Sequence, residues 1–225
     1  VVVEVVGWPK NKKNPTGKII EVLGSLGSSK AEVSSVMQTY GYSSAFPSSV
    51  TRDVSKIAQP SFSKLVSSGR KDCRKTPTFT IDPKTAKDFD DAISVKKIDS
   101  ENWEIGVHIA DVSFFVEEGL AIDKEASKRA TSVYLADQVV PMLPKKISND
   151  VCSLVSGADR LAFSVLFTIN QEALVSDYVI CETVIHSDRQ FSYEDAQEII
   201  DTKTGGFSKE LVLLNSLAKR LRKKR

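Results

Sequence analysis

Four carboxylates crowd one short stretch of the chain. In Ile-Asp-Pro-Lys-Thr-Ala-Lys-Asp-Phe-Asp-Asp-Ala-Ile-Ser, residues 81–94, they are Asp82, Asp88, Asp90 and Asp91. Like charges at this density repel, so a fold gathers them at a cost unless a cation lies between them. The local cations, Lys84 and Lys87, sit on long stems that can swing away. Ligation by carboxylate oxygen alone suits a hard ion, Mg²⁺ or Mn²⁺, rather than zinc or copper. The spacing is not that of an EF-hand, whose 1-3-5 ligands, glycine at position 6 and glutamate at position 12 are all missing. Mg²⁺ held by a few carboxylates usually completes its shell with water and phosphate oxygens, and a pair of such ions can assist phosphodiester hydrolysis. The other reading of the same residues is a solvated acidic turn in which Asp88 or Asp90 caps a helix.

To meet around one centre these side chains need a strand, a turn and a second element. Thr76 to Ile81 alternates as a half-buried strand, and Pro83 forces a turn straight after Asp82. Trp103 to Ile109 alternates likewise, while Ala162 to Ile169 and Asp177 to Ile185 are longer and more apolar, as central strands are. Helical patterns cover Ile122 to Tyr134, Tyr193 to Asp201 with Ser192 as cap, and Ser208 onward. Strands and helices in this order predict an α+β domain over residues 76–225, built on a mixed or antiparallel sheet. Ahead of it, residues 1–6 and 17–23 read as strands joined by a basic, turn-rich loop at 9–15. Ser29 and Glu32 suggest a capping box before a stripe of Val33, Val36, Met37 and Tyr40, which reads as core. Residues 46–75, rich in Ser and broken by Pro47 and Pro60, predict a linker with few specified contacts.

The 225 residues are 41% hydrophobic and 27% charged, which excludes a disordered or fibrous chain. Net charge is only +2, but it is unevenly placed. Residues 1–75 carry 12 basic and 5 acidic side chains, whereas residues 76–218 carry 13 basic and 24 acidic ones. A basic front on an acidic middle fits a polyanion binder joined to a site for cations. Cys73, Cys152 and Cys181 show no CxxC spacing, so neither a disulfide framework nor a thiolate zinc site is expected, and a reducing, cytoplasmic setting fits. No apolar run reaches the roughly 18–20 residues of a membrane span. The chain opens without an initiator Met, and its last helical stripe runs uncapped into a basic end, so a piece of a longer protein is expected.

Several segments in fixed order closely resemble one family. They are Thr80 to Ser94, Gly106 to Val116, Ala130 to Leu154 (Ala-Thr-Ser-Val-Tyr onward) and Asp159 to Phe167. Together they resemble the RNB catalytic domain of the RNase II, RNase R and exosome-exonuclease superfamily over roughly residues 70–200, with the RNase R branch nearest. The resemblance implies an RNB-type mixed sheet with flanking helices, preceded over residues 1–45 by the tail of an OB-type cold-shock barrel. It implies processive, Mg²⁺-dependent hydrolysis of single-stranded RNA from the 3′ end to nucleoside 5′-monophosphates. It makes Asp82, Asp88, Asp90 and Asp91 the metal ligands, with Asp90 and Asp88 closest to catalysis.

On periodicity alone Tyr134 closes a helix and reads as core. The resemblance makes it the aromatic that stacks on the terminal base, a contact that tolerates any sequence. His108 reads on its chemistry as a hydrogen-bonded structural histidine, Asp111 as an orienter of a loop or of the metal shell, and Arg160 as structural or a phosphate contact. The chain departs from the family pattern at Phe114, Gln138, Val155 and Ser156. It also lacks the family's catalytic Arg, which belongs to a later Ser-Pro-Ile-Arg-Arg-type segment. The competing expectation is an RNA-binding module without catalysis.

Overall fold

The computed structural model describes residues 1–11, 13–135 and 138–224. Strands β1 (Val2–Gly7) and β2 (Thr16–Glu21) pair antiparallel in a sheet of their own. Helix α1 (Ser29–Thr39) follows, capped by Ser28 rather than Ser29: the Ser28 hydroxyl accepts from the Ala31 amide at 3.2 Å. Of the stripe expected to be core, Met37 is buried, whereas Val36 and Tyr40 are exposed. Two strands make too narrow a layer to cover a helix face.

Residues 46–75 correct the expectation of a loosely held linker. They form α2 (Ser48–Lys56), α3 (Phe62–Ser67) and the short β3 (Lys71–Asp72). Val50 and Val54, one helical turn apart, are buried in the main core, and Lys146 Nζ closes the helix end by donating to the carbonyls of Val54 (3.1 Å) and Ile57 (2.8 Å). The serines that suggest a linker lie on the outside of a short amphipathic helix.

The body of the molecule is a seven-stranded mixed sheet. After β4 (Thr78–Asp82), β5 (Asp91–Lys97) and β6 (Asn102–Ala110) the chain leaves it for α4 (Ala121–Arg129) and a two-stranded ribbon, β7 (Val133–Tyr134) with β8 (Val139–Val140). A short π-helix at Lys146–Val151 leads back to the long β9 (Asp159–Asn170) and β10 (Val175–His186), then β11 (Arg189–Ser192). The order across the sheet is β11-β4-β5-β6-β9-β10-β3, parallel at the two outer pairs and antiparallel within. Helices α5 (Tyr193–Thr202) and α6 (Ser208–Lys224) complete the chain, and Ser192 caps α5 in a full capping box with Asp195. This is the expected α+β class, a mixed sheet with flanking helices.

Alternation along the strands loads both faces. Ala92, Ala162 and Leu166 face a core shared with α2, Ile122 of α4 and the 147–154 segment. Val95, Ile105 and Ile169 pack on the other side against Leu217 of α6. Phe79 and Phe191, both fully buried, meet edge-on with centroids 5.5 Å apart at the β4–β11 end. The sequence pattern extends α4 to Tyr134, but the helix stops at Arg129. Ala130 takes a left-handed conformation (φ 62°), which turns the chain out and places Tyr134 on a strand.

Candidate functional site

Asp82 is the last residue of β4, and Asp91 the first of β5; the loop 83–90 between them carries Asp88 and Asp90. It begins in a turn, where the Ala86 amide donates to the Pro83 carbonyl at 2.9 Å. Its middle is gripped on both sides of Phe89, whose ring is buried. The Phe89 amide donates to Ser153 Oγ at 3.0 Å, and its carbonyl accepts from the Leu154 amide at 2.9 Å. One residue on, the Asp90 carbonyl accepts from Ala110 at 2.8 Å. Asp88 and Asp90 therefore flank an anchored residue, not a free loop.

The anchor is itself held. Ser153 is fully buried, and its carbonyl accepts from Arg160 Nε at 2.9 Å; Arg160 Nη1 also donates to the Asp159 carbonyl. Burial pushes the Arg160 pKa down. Arg160 thus supports the acidic loop at one remove, through Ser153, with its Nε and Nη1 both donating to carbonyls.

The four carboxylates feel one another. Burial raises the pKa of Asp82, the neighbouring Thr80 hydroxyl opposes the rise, and the charges of Asp91, Asp90 and Asp88 add to it. Asp90 is raised as well, by desolvation and then by the charges of Asp88 and Asp91. Among the described residues none of the four is in an ion pair, and Asp82 Oδ2 is buried with no hydrogen-bond partner. An orphaned carboxylate oxygen among uncompensated like charges fits a hard cation. As they stand, no three His, Cys, Asp or Glu side chains among the described residues lie close enough to hold an ion together.

Tyr134 belongs to the same neighbourhood. It is 69% exposed on the β7–β8 ribbon, and its phenol is raised first by the charge of Asp88, then by slight burial and by Asp90. An open aromatic face beside an acidic cluster is a surface on which a base could stack while its phosphate reaches the carboxylates.

The remaining expected residues lie elsewhere. His108 sits in the middle of the sheet, fully buried, with Nδ1 2.7 Å from Ser164 Oγ and Nε2 2.8 Å from Ser94 Oγ. Burial drives its pKa down to about 4, so the ring is neutral. Gly106 makes room for it, since a Cβ there would stand 2.5 Å from His108 Nε2. Asp111 is buried and caps the 3₁₀ turn at Val112–Phe114 through Oδ1, accepting from the Phe114 amide at 3.2 Å. Its Oδ2 accepts from Arg70 Nη2 at 2.6 Å. The chemistry of both residues is that of internal structure.

Sequence reasoning does not single out Ser153 or Arg70. Neither has a spacing signal: one lies 64 residues from the amide it receives, the other 41 residues from its carboxylate partner.

Comparison with known proteins gives this geometry its family. Residues 70–225 match the model of the RNB domain, and residues 1–47 match that of the cold shock domain. Ribonuclease R of Thermotoga maritima is 44% identical over 204 residues, which cover 89% of this chain and 28% of that protein. The structure of Mycoplasma genitalium RNase R in complex with ribose-methylated single-stranded RNA superposes with a TM-score of 0.86 at 23% identity, over 99% of this chain and 35% of that one. Yeast Ssd1, a pseudonuclease, shares the fold at a TM-score of 0.75 and 21% identity, over 99% of this chain and 28% of its own. With more than half of its length matched by the family model, the chain belongs to the RNB domain family.

Proposed function

We propose that this chain is part of a cytoplasmic exoribonuclease that hydrolyses single-stranded RNA processively from the 3′ end, with Mg²⁺ or Mn²⁺, to nucleoside 5′-monophosphates. The observation that carries the reading is the juxtaposition of exposed Tyr134 with the Asp82–Asp88–Asp90–Asp91 cluster, in a chain of the RNB family related to ribonuclease R. Asp82, Asp88, Asp90 and Asp91 would hold the metal, which supplies charge stabilisation for the phosphodiester oxygens during attack by water. Tyr134 holds the terminal base by stacking, without selecting among bases. The anchored Phe89 peptide keeps Asp88 and Asp90 in place, so the approach of a phosphate does not have to order the loop.

The test is cleavage of a 5′-labelled single-stranded oligoribonucleotide by the full-length protein, in Mg²⁺ and in EDTA. A ladder shortening from the 3′ end, lost in EDTA and lost in Asp90→Asn while RNA affinity holds, is the expected result. Cleavage that survives Asp90→Asn overturns the assignment. A second reading is an RNA-binding module without catalysis. It draws support from the likeness to the pseudonuclease and from carboxylates that do not close on one centre. Tight RNA binding that ignores metal, with no cleavage, would favour it.

A further inference from the structure

The Tyr134 ribbon is too small to hold itself. Each of its strands has two residues, and isolated two-stranded ribbons are marginal in water even when longer. Its base is closed by Arg129, the last residue of α4. Arg129 Nη1 donates to the Pro141 carbonyl at 3.1 Å, on the outgoing leg, while Nε donates to Glu125 Oε1 at 2.8 Å. The remaining contacts reach back 84 residues: Nη2 donates to the Ala45 carbonyl at 2.7 Å, and the guanidinium lies 3.9 Å from the centroid of the Phe46 ring. The side chain is only 9% exposed. Further along the ribbon, Gln138 Nε2 donates to Met37 Sδ at 3.0 Å, so Arg129 and the ribbon together touch residues 1–47 at two places.

We propose that Arg129 is a positioning residue that braces the Tyr134 ribbon against residues 45–46, so that the placement of the N-terminal segment sets the placement of the base-stacking tyrosine. The inference rests on the RNA-stacking reading of Tyr134. A planar guanidinium is needed because it makes three directed hydrogen bonds and one stacked contact at once, which an ammonium cannot reproduce.

The test uses the full-length protein with Arg129→Lys, Phe46→Leu (which removes only the stacking partner), Tyr134→Ala and the double variants Arg129→Lys/Tyr134→Ala and Phe46→Leu/Tyr134→Ala. Melting curves check that each still folds. Arg129→Lys is expected to raise KM for single-stranded RNA about 3- to 10-fold with kcat changed less than about twofold, in the range of couplings between networked residues. In the Tyr134→Ala background the same change should add nothing. Full additivity of the two substitutions overturns the proposal, because a merely structural Arg129 acts whether or not Tyr134 is present. The fluorine resonance of fluorotyrosine at 134, assigned with Tyr134→Phe, gives a readout independent of RNA. It should shift or broaden in Arg129→Lys and in Phe46→Leu, and an unchanged signal in both overturns the brace. If Tyr134→Ala alone leaves KM and product length unchanged, the stacking role fails, and the fluorine signal still decides whether Arg129 sets the tyrosine's position.

Discussion

The middle of the sheet and its edge-loop treat ionisable groups in opposite ways. At mid-sheet, His108 has a hydroxyl on each ring nitrogen, and Ser164 passes the chain on to Thr183 at 2.6 Å. Where β4 passes into β5, four carboxylates crowd together, and among the described residues none is in an ion pair and one buried oxygen, Asp82 Oδ2, has no hydrogen-bond partner. Satisfied polar groups in a core report structure, while groups held at an electrostatic cost report something the fold keeps for use. The Phe89 peptide and the Asp90 carbonyl are hydrogen-bonded, so at these positions the cost falls on the side-chain charges and not on the peptide.

The sharpest way to break this contrast is to remove charge from the loop. Asp90→Asn should cut cleavage by about 10³-fold or more in the full-length protein, the scale of losing a transition-state contribution. It should leave the melting temperature equal or higher, because a repelling charge is gone. A drop in stability instead would mean that the carboxylate is structural.

The mid-sheet network should answer with the reverse pattern. His108→Ala leaves Ser94 and Ser164 facing a void and should cost on the order of 3 kcal/mol by denaturant unfolding, with Mn²⁺ affinity unchanged. A lost metal site with intact stability would put the histidine in the wrong class.

Between these lies the anchor. Ser153→Ala deprives the buried Phe89 amide of its acceptor and should cost about 1–3 kcal/mol. Hydrogen exchange at residues 86–92 should rise and Mn²⁺ affinity fall, whereas RNA affinity in EDTA stays. Tyr134→Ala should weaken the hold on terminal nucleotides by about 1–3 kcal/mol, read as a longer limit product.

The two regions also differ in the sign of their response to pH. His108 titrates near 6.5 when unfolded and about 4 when folded, so the unfolded chain binds more protons between those values. That group's contribution is present above 6.5 and is lost as pH falls toward 4. Asp82 and Asp90 are raised, so the metal-free folded chain binds more protons just above the ordinary carboxylate range, and their repulsion is relieved as pH falls. Melting in EDTA across mildly acidic pH, with Asp82→Asn and His108→Ala, separates the slopes; Asp82→Asn should flatten the carboxylate part and His108→Ala the histidine part.

Much of this contrast is legible in the residues themselves. The crowding of Asp82, Asp88, Asp90 and Asp91 is visible in their spacing, and the bland reading of His108 as a hydrogen-bonded core histidine matches its surroundings. The alternation of β6 and the longer apolar runs of β9 and β10 are plain in the hydropathy. What misleads is local: a Ser-rich stretch hides the buried Val50 and Val54, and the helical stripe of α4 runs past the left-handed Ala130.

The sequence by itself determined the strand periodicities, the charge cluster and the family pattern, because each depends on neighbours within a few residues. Tertiary structure alone decided that Tyr134 stands beside Asp88, that Ser153 and Arg160 hold the acidic loop, and that Arg129 ties residues 45–46 to the ribbon. The Tyr134–Asp88, Ser153–Phe89 and Arg129–Ala45 contacts join positions tens of residues apart. Such a pairing is fixed only when sheet register and core packing offset the entropy of closing the loops between them, and neither leaves a period in the chain.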